Sequence, residues 1–132
     1  MALNVPDVGE NLILDMIVNK VAAQNLVLKL FKNNITPADT DVAATYTEST
    51  FTGYASITLA GASWNSAAAG SISFSAQQSF TCSGASSESV YGYYLIQLTS
   101  TVLMWSERDG SAPFAIAVSG DKVQMTPSIG AN

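Results

Sequence analysis

Apolar residues along this chain recur with two periods, first that of a helix and then that of strands. Over residues 9–19, GENLILDMIVN, Leu12, Ile13, Met16 and Ile17 fall at i, i+1, i+4 and i+5, which lines them along one side of an α-helix. Pro6 suits the entrance of that helix. Asp7 and Glu10 sit where its dipole favours negative charge, and Lys20 where it favours positive charge. From residue 25 the period falls to two. In NLVLKLFK (25–32), Leu26, Leu28 and Leu30 share one face and Val27, Lys29 and Phe31 the other, which predicts a strand with one buried side. Asn33 and Asn34 break it. Residues 33–50 hold Pro37, Asp39, Asp41, Glu48 and many threonines, and read as a long surface loop.

Shorter strand-like runs follow at 53–59, 71–75, 78–82, 90–98, 102–107, 114–118 and 122–126. Thr99, Ser100 and Thr101 read as a tight hairpin connection, Asp109-Gly110 and Gly120-Asp121 as turns, and Pro127 and Gly130 close the pattern. One helix followed by about eight strands, with no βαβ alternation, predicts an all-β fold. The expected form is an antiparallel β-sandwich of jelly-roll type with a short N-terminal α-helix. A single domain is expected over residues 1–132, with 1–24 an arm and helix and 25–132 the sandwich.

Composition narrows the chemistry. Charged residues make up 11% of the 132, against about 25% in an ordinary soluble domain. There is no histidine and one cysteine, Cys82. Ser-His-Asp and Cys-His nucleophiles and histidine-containing zinc sites are therefore excluded, and the chain is not expected to be an enzyme or to hold a cofactor. Cys82 reads as a small, partly buried apolar residue. A net charge of -5 with only five Lys+Arg argues against nucleic acid as a partner, since binding the phosphate backbone needs a basic stripe. No apolar run approaches the roughly 18 residues of a membrane span, so no membrane is expected either. The opening MALNVPD lacks a basic region followed by an apolar stretch, which points to a protein made in a cytosol.

The remaining motifs have ordinary explanations. Ser119-Gly120-Asp121-Lys122 matches S-x-x-K, but a turn between strands does not give lysine the helical spacing needed to reach the serine. Asn34-Ile35-Thr36 matches a glycosylation sequon, expected to stay unmodified without a secretory route. Asp39, Asp41 and Glu48 lack the ligand rhythm of a calcium loop and read as solvated carboxylates. Trp64, Tyr91, Tyr93, Tyr94 and Trp105 suggest a sugar platform. However, Tyr91 and Tyr93 are expected on one strand face and Tyr94 on the other, so core or subunit interface suits them better. Val5, Val8, Leu12, Ile13, Met16 and Ile17 are the candidate partner interface, the alternative being that the helix closes one end of the protein's own sandwich.

In order along the chain, VPDVGENLILDMI, LVLKLFKNNITPADTD, TYTESTFTGYASITL, VYGYYLIQ, LMWSER and FAIAVSGDKVQMTP resemble small virion structural proteins of tailed bacteriophages, in particular capsid cement or decoration proteins. The resemblance spans nearly the whole chain, although GASWNSAAA (61–69) departs from it in being unusually rich in small residues. It implies a small β-sandwich on the capsid surface of a virion, acting as a homo-oligomer, dimer or trimer. Its partner would be the shell of major capsid protein, and no catalytic residues carry over. The alternatives are a tail-associated module binding host surface carbohydrate and a structural tail subunit. Low charge and Ser/Thr-rich strand edges suit repeated contacts of this kind, including strand addition from a neighbouring chain.

Overall fold

A computed structural model describes residues 2–130, with side chains from Asn4 onward. The chain is mostly β with one short helix and several antiparallel sheets. Strand β1 (Ala2–Asn4) leads into α1 (Asp7–Ile17), then β2 (Leu26–Phe31) and β3 (Ile57–Leu59). Next come β4 (Ser71–Ser73), β5 (Gln78–Thr81), β6 (Glu88–Val90) and β7 (Gly92–Gln97). Finally β8 (Leu103–Arg108), β9 (Phe114–Ile116), β10 (Lys122–Met125) and β11 (Ser128–Gly130) complete the described residues. A five-stranded sheet runs in the order β1-β8-β7-β2-β3, and three two-stranded ribbons pair β10 with β5, β11 with β4 and β6 with β9.

The helix begins two residues earlier than its apolar period predicts. Pro6 is its N-cap, with extended backbone at ψ 160°, and Asn19 ends it in the left-handed region at φ 58°. β1 and β11 lie outside the predicted runs: β1 precedes the helix pattern, and β11 follows Pro127, which reads as the end of the strand pattern. The run 90–98 is broken at Tyr91, whose N–H donates to the Phe31 carbonyl at 2.9 Å and whose carbonyl accepts from Asp109 N–H at 3.0 Å.

β2 is not a strand with one buried side. Leu28 and Leu30 join Tyr93, Leu95 and Trp105 on one face of the sheet, where Phe80, Val123, Val90 and Ile116 from the ribbons cover them. Val27 and Phe31 occupy the other face with Tyr94, Ile96 and Leu103, and this face is buried too. Its cover is the 33–50 segment, which contributes Tyr46, Ile35 and Ala43. Tyr46 stacks on Tyr94 with ring centroids 5.0 Å apart and meets the Phe31 ring edge-on at 5.0 Å. The long loop is thus a second layer of the core.

Gly92 is required where β7 starts. A Cβ there would lie 2.0 Å from the Glu107 carbonyl and 2.8 Å from the Phe31 ring. Between β7 and β8 the register shifts: Leu95 faces Trp105 but Ile96 faces Leu103. Met104 is the extra residue of that bulge, which lets both Met104 and Trp105 reach the same core.

Candidate functional site

The helix occupies the flank of β8 next to the stretch paired by β1, which covers only Ser106–Arg108. Gly9 makes the seat possible: a Cβ would stand 2.5 Å from the Met104 carbonyl and 3.0 Å from that of Leu103. Of the candidate interface residues, Val5, Leu12, Ile13 and Met16 pack, partly buried, against the ribbon-side core. Val8 packs against the opposite core. Ile17 alone of the six is exposed, at 73%. A second apolar stripe points outward. Leu14 is 61% exposed and Val18 71%, and with Ile17 they stand at i, i+3 and i+4, one row of a helix. That row is legible in the sequence but masked there by the inward stripe beside it.

Beside α1 run two adjoining apolar grooves of about 380 and 550 Å3 that share Ile13, Ile72 and Ile129 as lining. Apolar side chains on α1 therefore face solvent on one side and a groove on another. Monomeric proteins seldom keep such apolar surface contiguous without a use for it.

Of the three loop carboxylates, Asp39 is exposed as expected, whereas Asp41 and Glu48 are not simply solvated but held by the fold. Asp41 is 8% exposed; its Oδ2 accepts from Ala38 N–H at 2.9 Å and from the Tyr46 hydroxyl at 2.7 Å. That hydroxyl also lies 2.7 Å from the Ser106 hydroxyl, so a single side chain ties the loop to β8. Glu48 accepts from Lys29 Nζ at 2.8 Å and from the Tyr54 hydroxyl at 3.0 Å. Burial raises Glu88, but the Thr50 N–H, Lys32 and neighbouring hydroxyls outweigh it and hold the carboxyl below its usual range. Among the described residues no three His, Cys, Asp or Glu side chains converge as metal ligands.

The aromatic residues do not form a platform. Tyr93, Tyr94 and Trp105 are at most 6% exposed. Trp64 meets Phe74 at 5.3 Å and Trp105 at 6.0 Å, edge to face. Tyr91 packs on the Tyr94 side of the sheet, not with Tyr93, because the strand breaks at Tyr91. The Arg108 guanidinium lies 5.0 Å from the Tyr91 ring centre and donates to the Ile35 carbonyl at 2.9 Å. In the S-x-x-K stretch, the Asp121 carboxylate accepts from Ala117 and Val118 N–H at 2.9 and 3.0 Å, closing a turn. Cys82 is 1% exposed, with its thiol 3.0 Å from the Gly84 carbonyl.

A smaller, more enclosed cavity of about 320 Å3 lies between β10 and the end of β8. Tyr93, Glu107, Asp109, Phe114 and residues 122–126 line it. The Tyr93 hydroxyl donates to Glu107 Oε2 at 2.6 Å, and burial, reinforced by that carboxylate, pushes the phenol well above its ordinary range. No helix among the described residues is long and apolar enough to cross a membrane. No protein-family model and no curated protein matches this chain.

Proposed function

We propose that this chain is a capsid cement protein of a tailed bacteriophage, binding the shell of major capsid protein and stabilising it against the pressure of the packaged genome. In this reading the ribbons and the five-stranded sheet form a sandwich of jelly-roll type. The protein is made in the host cytoplasm, assembles as a dimer or trimer, and sits on the capsid surface. The observation that carries the reading is the outward apolar row Leu14, Ile17 and Val18 beside the α1 grooves. Burying such a row against a neighbour contributes roughly 25 cal/mol per Å2 of apolar area, and a shell repeats the contact many times. A chain with 11% charged residues brings few ions to desolvate on contact.

Particles assembled without the protein should form but burst under heat or osmotic shock that intact particles survive. Deletion particles as robust as the wild type would remove the cement role. Leu14→Glu and Ile17→Glu change exposed positions, so the unfolding free energy in urea should stay within about 0.5 kcal/mol of the parent chain while attachment to particles is lost. The glycan-binding alternative needs an open aromatic face, whereas Tyr93 and Trp105 are buried in the core and Trp64 packs, partly buried, edge to face against Phe74 and Trp105. A structural tail subunit is separated from a head protein by imaging particles labelled at the C-terminus.

A further inference from the structure

The cavity between β10 and β8 is lined by five consecutive residues, 122–126. A strand that turned a face toward a cavity would contribute every second residue, so β10 presents its edge there. The hydrogen bonds agree. Just before β10, Cys82 N–H donates to the Asp121 carbonyl at 2.7 Å, and the register continues Lys122↔Thr81, Val123↔Phe80, Gln124↔Ser79 and Met125↔Gln78. In an antiparallel pair the bonded positions alternate, so Asp121, Val123 and Met125 bond toward β5. The N–H and carbonyl groups of Lys122 and Gln124 therefore point to the opposite edge. No other strand pairs with that edge among the described residues.

Across the cavity stand two carboxylates. Glu107 accepts from Tyr93, and Asp109 accepts from Ser111 N–H at 2.7 Å. Neither forms an ion pair within 4.0 Å among the described residues, while Lys29 and Lys32 are paired elsewhere. Lys122 at the rim is exposed, which leaves the cavity with two negative charges against one positive. Phe114, Val123 and Met125 supply apolar wall. At about 320 Å3 the cavity lies at the small end for ligand sites, the scale of one long side chain.

We infer that this slot takes an extended, basic segment of a partner protein, which adds a strand to the free edge of β10 and sets a Lys or Arg side chain against Glu107 and Asp109. Main-chain bonds to Lys122 and Gln124 would hold the segment, and the acidic cavity would select its side chain. The inference rests on the reading of the chain as an assembly protein and adds a second contact to the one on α1. A sugar is a poorer fit, because the Tyr93 ring is 6% exposed and offers no face for stacking.

Amide exchange followed by NMR tests it on the whole chain. In the free protein, amides of Lys122 and Gln124 should exchange fast while those of Val123 and Met125 are protected. Equal protection of all four would overturn the free edge. Two capped hexapeptides, alternating Thr and Val with either Lys or Glu at the third position, then serve as probes. The Lys peptide should slow exchange at Lys122 and Gln124 and bind about tenfold tighter than the Glu peptide. The Glu107→Gln, Asp109→Asn double variant should erase that preference. Gln124→Pro removes a donor that the β5 ladder does not use, so it should abolish binding with the fold kept. Equal binding of both peptides, or no slowing at millimolar peptide, would overturn the inference. Particles carrying Gln124→Pro bear on this slot alone, whereas particles lacking the protein bear on the cement role.

Discussion

Tyr46 shows how one residue converts a polar loop into part of a core. Its ring lies between Phe31 and Tyr94, while its hydroxyl reaches Asp41 and Ser106. The buried Asp41 carboxylate is tolerated because donors surround it, and removing one donor leaves its desolvation uncompensated. Tyr46→Phe keeps the ring and deletes only the hydroxyl, so it should cost about 1–3 kcal/mol in urea unfolding. A change below a few tenths of a kcal/mol would mean that water replaces the hydroxyl. Nothing in the chain's alternation marks Tyr46 for this role, since it sits among Thr, Ala and Asp residues with no period of their own.

At the scale of elements, α1 has apolar residues on opposite sides, and tertiary contacts decide which side is inward. The spacing of Leu12, Ile13, Met16 and Ile17 identified the helix and its stripe; the fold packs Leu12, Ile13 and Met16, partly buried, against the core and leaves Ile17 exposed. What the spacing could not supply was Gly9, whose importance comes from the Met104 carbonyl on the bulged strand β8. Gly9→Ala should lift α1 from β8 and lower stability by about 1–3 kcal/mol, the range for inserting a methyl into a packed contact. Increased exchange in α1, with the β2-β7-β8 ladder still protected, would separate a lifted helix from general loosening. The β7-β8 hairpin was also legible. Its connection closes with Gln97 N–H donating to the Val102 carbonyl at 3.0 Å and Thr101 at φ 58°.

For the molecule as a whole, burial of hydroxyl-bearing rings sets a limit at high pH. Burial is the leading cause that raises Tyr46, Tyr54, Tyr93 and Tyr94 above the ordinary tyrosine range. A folded-state pKa raised above the unfolded value of about 10 contributes stability that is intact below pH 10 and is lost as pH rises beyond it. Phenolate absorbance should therefore appear in a steep step that coincides with loss of the near-ultraviolet circular dichroism. Smooth titration of these phenols near pH 10 in a chain that stays folded would contradict their burial. The short-range alternation of apolar and polar residues sufficed for one helix, most strands and the antiparallel β character, because those depend on which side of each segment avoids water. It did not reveal that both faces of β2 are buried, that Asp41 and Glu48 belong to bonded networks, or that among the described residues no second strand pairs with β10 beside Glu107 and Asp109. Those features depend on which distant segments meet, and a period of two or 3.6 residues carries no record of a neighbour 40 or 80 positions away.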